Sequence, residues 1–557
     1  MIKLKKQKKV STQPSGSTAI PKVRKAGPRG YAGRGLGEAK VLHAMQEMRG
    51  TNYQVCGLYP FPMGGGSPIS GVPLGRNLIT GEPVCCDPIT WFMKLRLIAN
   101  PSAFLMANPG LGKSSVIRRM CMGLSAFGTI PMVLGDIKGE HVVMIEKLGG
   151  AVLKLGRGVG RINPLDDFGA MDIARELSPA RREELLTELH DRRRGVVSSL
   201  IAIQRKEPLS ERERNVLDRC LSVLEAERGE DATTPPEMKD LLEVLKRRPE
   251  EVRAVALDRG SDDRYDEITE GLEGSFNTLC GAGSFGQMFA GQSTDRIDPT
   301  RPLVFDLSRI PQSDGDLRAA TLMTCWTAGF SVVTASNMAA DDGLIERRRY
   351  FMVLDELWNT LAAGRGLVDE VNALTRLNRE WGVGMVMASH TPSDLMAVRD
   401  ENDRHKAKGI LNRCGMKILG GLARAEMPLL TQSVSLSMRE QDQLANWQDP
   451  AAWTDGRDGD VQYTNDDIFA PTPTGLISDE ALQEWLEEPE AEEWVEDDRT
   501  RMPPPGQGKF LIKVGSRAGI PVSVDLTPTE RSSGVHDTER KWHTTKRRVA
   551  GAQGGVA

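Results

Sequence analysis

Ala107-Asn-Pro-Gly-Leu-Gly-Lys-Ser-Ser115 is the stretch on which the fold turns, with apolar Ala103-Phe-Leu-Met106 ahead of it and Ser115-Val-Ile-Arg-Arg-Met120 behind. Small residues at Gly110 and Gly112 let main-chain N–H groups curl around phosphate oxygens, Lys113 supplies an ammonium for the terminal phosphates, and Ser114 supplies a hydroxyl for magnesium. The segment Asn108, Pro109, Gly110, Leu111, Gly112, Lys113, Ser114 and Ser115 is therefore the candidate phosphate cradle. The apolar run before it suits a buried strand, and the run after it suits a helix whose positive N-terminal end faces the phosphates. Ala107 stands where such loops usually carry their first glycine, which is acceptable if that residue keeps φ below zero. The competing reading is a Gly/Ser turn that happens to contain a lysine.

A second stretch completes the pattern. Arg349-Tyr-Phe-Met-Val-Leu-Asp-Glu-Leu-Trp358 reads as a strand that delivers Asp355 and Glu356 to one edge. In a phosphate-loop hydrolase Asp355 holds a magnesium-bound water and Glu356 polarises the attacking water. Between the two motifs, Ile130-Pro-Met-Val-Leu-Gly-Asp-Ile-Lys-Gly-Glu140 is a buried strand ending in polar residues. Asp136 and Glu140 then either act near magnesium or water, or form a salt-bridged loop with Lys138. Gly384-Met-Val-Met-Ala-Ser-His-Thr391 ends another strand at Ser389 and His390, which are candidates for sensing the γ-phosphate, with a structural hydrogen bond as the rival role of His390.

The remaining organisation follows from composition. A net charge of -4 argues against a wholesale polyanion binder, although the charge is unevenly distributed. Residues 1 to about 36 carry Lys3, Lys5, Lys6, Lys8, Lys9, Lys22, Arg24, Lys25, Arg29 and Arg34 with no acid, a disordered basic arm that either contacts nucleic acid or anionic lipid or only solubilises. Gly64 to Asp87 suggests one or two hairpins roofing the phosphate loop, with Arg76 able to reach the nucleotide. From about Met171 to Leu272 the pattern is of charged helices, an all-helical insertion. Asp479 to Asp498 alternates acids with Trp485 and Trp494, and Gly508 to Val524 suggests a small hairpin before a basic tail. The eight cysteines are scattered without metal-binding or redox spacing and read as reduced thiols. The apolar run at Leu322 to Ala335 is too short to span a membrane, so a cytoplasmic protein is expected, docked if at all at the inner face of the membrane through partners.

In this order the motifs resemble one family, the energising ATPases of type IV secretion and conjugation machines, in the FtsK/HerA branch of RecA-like motors. The resemblance runs from about Gly71 to Leu430 through Gly71-Val-Pro-Leu-Gly-Arg-Asn77, Asn108 to Ser115, Gly135-Asp-Ile-Lys-Gly-Glu140, Ile162-Asn-Pro-Leu-Asp166, Gly283-Ser-Phe-Gly-Gln-Met-Phe289, Phe305-Asp-Leu-Ser308, Val353-Leu-Asp-Glu356 and Ser389-His-Thr-Pro-Ser-Asp-Leu395. It implies an α/β fold, a RecA-like P-loop NTPase with a mostly parallel central sheet, a helical insertion and disordered termini. It implies ATP and Mg2+ as cofactors and a homo-hexameric ring, attached to a secretion or conjugation membrane complex, with each ATP between neighbouring subunits. An arginine from the next subunit would then stabilise transition-state charge; Arg379 fits that place best, and Arg413 and Arg424 are rivals. Two features depart from the family: it usually has glutamine at the place of His390, and the long N-terminal domain of its larger members is missing.

The expected segments are 1–50, a basic arm; 51–100, an N-terminal hairpin segment; 101–170 and 276–435, the two parts of the ATPase core; 171–275, the helical insertion; and 436–557, an acidic segment, small hairpin and basic tail. Catalysis is assigned to Lys113, Glu356, Arg379 and His390, and metal binding to Ser114 and Asp355. Two other functions fit the same letters: a translocase acting directly on duplex DNA, and a scaffold that nucleotide binding merely assembles.

Overall fold

In the described residues, 67–229, 232–358, 382–396, 401–448, 506–533 and 535 of a computed structural model, eleven strands form one sheet. They are β1 (Pro73–Asn77), β2 (Pro83–Cys85), β3 (Ser102–Met106), β4 (Thr129–Asp136), β5 (Ala151–Lys154), β6 (Leu303–Asp306), β7 (Arg349–Leu354), β8 (Gly384–Ser389), β9 (Met416–Leu419), β10 (Lys509–Lys513) and β11 (Ile520–Ser523). The order across the sheet is β2-β1-β11-β10-β9-β3-β8-β7-β4-β6-β5. From β9 to β5 every pairing is parallel. From β9 outward through β10, β11, β1 and β2 every pairing is antiparallel.

Side-chain alternation explains why the parallel part is buried on both faces. Phe104 and Met106 of β3, Met352 and Leu354 of β7, and Met385 and Met387 of β8 enter one core. Their neighbours Ala103, Leu105, Phe351, Val353, Val386 and Ala388 enter a second core on the opposite face. The second core is covered by two helices, α1 (Pro88–Met93) and α2 (Lys113–Ala126), with Val116, Ile117, Met120 and Cys121 turned inward.

The first core continues into a helical lobe. Ahead of it a short helix, α3 (Val142–Lys147), turns Met144 and Ile145 into the second core; the lobe's own elements are α4 (Ala170–Glu176), α5 (Pro179–Arg205), α6 (Glu211–Arg228), α7 (Met238–Arg247), α8 (Glu250–Ala256), α9 (Asp262–Cys280) and α10 (Ser284–Phe289). Each long helix buries a stripe at helical spacing, for instance Val216, Leu217, Cys220, Leu221 and Leu224 of α6, and a capping box between Ser210 and Glu213 closes that helix's start. The next helix, α11 (Gly315–Asp341), is buried along nearly its whole length, which explains why its apolar residues show no single face. At Gly329 any Cβ would lie 2.4 Å from the Leu134 side chain, so this helix and β4 approach as closely as glycine permits. No described helix is long and apolar enough to cross a membrane.

Two expectations are corrected here. The N-terminal hairpin does not roof the phosphate loop: β1 pairs with β11, extends the sheet and leaves Arg76 exposed opposite Ser523. The C-terminal hairpin, for its part, is spliced into the central sheet between β9 and β1, because β10 pairs with β9 at Leu511↔Leu419. The seven described cysteines are free thiols, and burial pushes Cys220 up to about 12. The basic arm, the segment containing Arg379, the acidic segment with Trp485 and Trp494, and the basic tail lie outside the described residues.

Candidate active site

The phosphate loop connects β3 to α2, and its backbone conforms to what the residue types demand. Gly110 and Gly112 have φ of 82° and 93°, in the left-handed region that a side chain resists. Ala107 is not among the residues of positive φ; it is fully buried in the second core. Space for its methyl group comes from the neighbouring strand end, where a Cβ on Gly420 would lie only 2.6 Å from the Ala107 Cβ. The loop is held from outside: the Asn108 N–H donates to the Gly421 carbonyl at 3.1 Å, and the Gly508 N–H donates to the Leu111 carbonyl at 3.0 Å.

Strand order brings the chemistry together. β8 lies between β3 and β7, with Met106 in register with Ser389 and Leu354 with Met387, so the three strands end at one edge. Lys113 Nζ donates to His390 Nδ1 at 2.8 Å and to the Ser389 carbonyl at 3.4 Å. His390 Nε2 is 3.3 Å from Glu356 Oε1. With Nδ1 accepting from the ammonium, the imidazole is the tautomer whose proton sits on Nε2, facing the carboxylate. One imidazole thus bridges the lysine of the loop and the second acid of β7.

Glu356 is gripped from several sides. Its Oε1 is 3.1 Å from Lys138 Nζ, and its Oε2 accepts from Trp358 Nε1 at 2.6 Å. Its φ is 52°, a conformation costing about 1–3 kcal/mol in a non-glycine residue, which the surrounding contacts must hold in place. The backbone N–H of Glu356 donates to Asp355 Oδ1 at 2.9 Å. Burial alone would push the Glu356 carboxyl up, but the His390 hydrogen bond and the charges of Lys138 and Lys113 hold it well below the usual range. Asp355 is likewise lowered: burial opposes ionisation, and the His141 ring and Lys113 ammonium outweigh it. Burial lowers Lys113 itself, with Asp355 and Glu356 restoring only part of the loss.

The strand end at Asp136 does not form the salt-bridged loop with Lys138. A bulge at Gly135, with φ of 148°, turns the chain, and the Asp136 carboxylate accepts from the backbone N–H groups of Glu140 at 3.0 Å and His141 at 2.6 Å. Lys138 does not close a salt-bridged loop with Asp136 or Glu140; it reaches Glu356, while Glu140 lies 3.7 Å from Arg118. The clamped turn therefore presents three successive functional groups to three different places.

Arg424 forms a surface pair with Asp442 at 2.9 Å, and Arg413 is the exposed last residue of the helix Glu401–Arg413. Residues that the letters did not single out also shape the site: Trp358, His141 and, of the arginine pair Arg118 and Arg119 on α2, Arg118, which donates to the Ser114 carbonyl at 3.1 Å and lies 3.7 Å from Glu140. The two arginines, set among apolar residues of the loop helix, were a usable hint; a lone histidine after a Gly-Glu turn was not. A cavity of about 840 Å3 opens elsewhere, between the helical lobe and the loops near Asp166 and Gln292, so convergence of charge rather than volume marks the candidate site.

No family model matches the chain, and no curated protein matches it. Among solved structures, VirB4 of Thermoanaerobacter pseudethanolicus aligns at 17% identity with a TM-score of 0.56, over 84% of this chain and 100% of that one. The plasmid coupling protein TrwB in complex with ADP and Mg2+ aligns at 15% identity with a TM-score of 0.42, over 81% of this chain and 89% of that one. A further TrwB structure, an unbound monoclinic form, aligns at 17% identity with a TM-score of 0.37. The chain thus has the RecA-like α/β fold of VirB4, with a phosphate loop and an acid-bearing strand on either side of the strand that leads into His390.

Proposed function

We propose that this chain is a magnesium-dependent ATPase that powers DNA or protein transfer in a conjugation or type IV secretion apparatus. The observation carrying this reading is the arrangement of Lys113, His390 and Glu356 at one sheet edge, beside Asp355, on a fold shared with VirB4. Lys113 neutralises the β- and γ-phosphates, and the backbone N–H groups from Asn108 to Ser115 hold their oxygens. Ser114 and Asp355 offer the hard oxygen donors that suit Mg2+, which usually takes one or two carboxylates and the phosphates themselves. When bound, that cation neutralises charge on the triphosphate.

Glu356, kept ionised by its neighbours, polarises and orients the attacking water. His390 shares one ring between Lys113 and Glu356, so movement of the lysine toward a γ-phosphate frees Nδ1 and leaves Nε2 on the carboxylate. The sensing role proposed for His390 is this exchange of partners. Catalysis is then placement and electrostatics, completed by an arginine of a neighbouring subunit in a homo-hexameric ring; Arg379 is the first choice. The ring would work in the cytoplasm, at the inner face of the membrane and against a secretion complex, with the basic arm available to DNA.

ATP turnover of the full chain, measured with and without duplex DNA, tests the reading. Turnover that Lys113→Ala abolishes and that does not need DNA is expected. Turnover seen only with duplex would favour the direct translocase, and binding without turnover would favour the scaffold.

A further inference from the structure

His141 is fully buried, yet neither ring nitrogen has a hydrogen-bond partner. Burying an imidazole N–H without a partner costs about 1–3 kcal/mol, so a leucine or phenylalanine would serve better as mere filling. The ring is nevertheless held in place. Asp136, itself buried, accepts from the His141 backbone at 2.6 Å and from that of Glu140 at 3.0 Å, which fixes the turn carrying the ring. The ring faces the carboxylate of Asp355, whose Oδ2 lies 3.8 Å from His141 Nε2, beyond hydrogen-bond range. Asp355 Oδ1 is already engaged by the Glu356 N–H, so Oδ2 is the oxygen left for other work.

We propose that His141 is a positioning residue for Asp355, its Nε2–H becoming the donor that aims Oδ2 when Asp355 holds a magnesium-bound water. This rests on the reading of Asp355 given above. Closing 3.8 Å to an ordinary hydrogen bond needs a movement of roughly 0.6–1.1 Å, within the reach of a side-chain adjustment at the end of β7. The orphaned nitrogen is then a donor waiting for a carboxylate that turns when the site is loaded. The same clamped turn supports both acids, Lys138 holding Glu356 and His141 addressing Asp355.

Equilibrium binding of a fluorescent ATP analogue to the full chain, with magnesium titrated from chelated to saturating, tests this. For His141→Leu the magnesium concentration giving half the effect should rise about 10-fold or more, the usual consequence of losing a partner of a metal-holding group, with magnesium-free nucleotide affinity unchanged. His141→Gln, whose amide nitrogen reaches the place of Nε2, should restore most of the loss, and His141→Asn, whose amide is too short, should not. If His141→Leu does not fold, the contrast between His141→Gln and His141→Asn carries the test. A magnesium titration unchanged in His141→Leu and His141→Asn overturns the proposal. So does an equal loss with and without magnesium in all variants, which marks a packing role. Wild-type protein and Asp355→Asn run alongside: if Asp355→Asn responds to magnesium as the wild type does, the metal role of Asp355 has failed and the role of His141 falls with it.

Discussion

At the scale of single residues, the site combines positions that chemistry requires with positions that geometry permits. Gly112 is required: at φ of 93° it begins α2, and a Cβ there would sit 3.5 Å from the Gly508 nitrogen, so the strain comes from the backbone rather than from crowding. Gly112→Ala is expected to weaken ATP binding sharply in an equilibrium titration. Ala107, by contrast, occupies an ordinary conformation with its methyl group in a space left by Gly420, so Ala107→Gly is expected to leave ATP affinity unchanged. A marked gain on Ala107→Gly would mean that the usual first glycine matters here after all. Glu356 is the opposite case, a residue held against its backbone preference by Lys138, His390 and Trp358.

At the scale of elements, the anchors of the loop helix are ion pairs that the linear order of residues conceals. Arg119 of α2 donates to the Leu74 carbonyl at 2.7 Å and the Asp525 carbonyl at 2.6 Å, and pairs with Glu530, so it ties the helix to both antiparallel hairpins. Arg119→Ala is expected to destabilise the fold by about 1–3 kcal/mol for the buried acceptors it leaves, read as a lower urea midpoint. Burial would raise Glu530, but the Arg119 hydrogen bond and backbone donors bring it down from 4.5 to about 2. Its contribution is therefore complete above pH 4.5 and lost as pH falls toward about 2, and Glu530→Gln should flatten that part of an acid-denaturation curve. The helical lobe has the reverse dependence. Hydrogen bonds from His190 to Glu225 at 2.7 Å and Asp218 at 3.2 Å join α5 to α6 and raise the imidazole pKa above 6.5. That support is full below pH 6.5 and disappears as pH rises through the raised value, so melting temperature should fall over that window in the wild type and not in His190→Gln.

At the scale of the whole molecule, the parts visible in the letters are those whose residue types are dictated locally. Gly110, Gly112, Lys113 and Ser114 must stand in that order to surround a phosphate, and five largely apolar residues before Asp355 make a strand in any buried sheet. Individual strands and helices could be read from such runs, and the mostly parallel α/β fold came from the family resemblance of the motifs taken in order. Partnerships set by register and by neighbouring strands were not legible: the hairpin at Lys509 looks like a separate small unit until its pairing with β9 is known. In the same way, Lys138 looks like a partner for the acids beside it in sequence, although a bulge at Gly135 sends it to Glu356. The central claim is that one triphosphate lies between Lys113 and the acids of β7 and is cleaved there. Mixing full-length wild-type or Glu356→Gln protein with γ-labelled ATP and magnesium, and following bound ATP and released phosphate in a single turnover, tests it most directly. Glu356→Gln should bind ATP as the wild type does and release phosphate about 100-fold more slowly or less; release at the wild-type rate would contradict the claim.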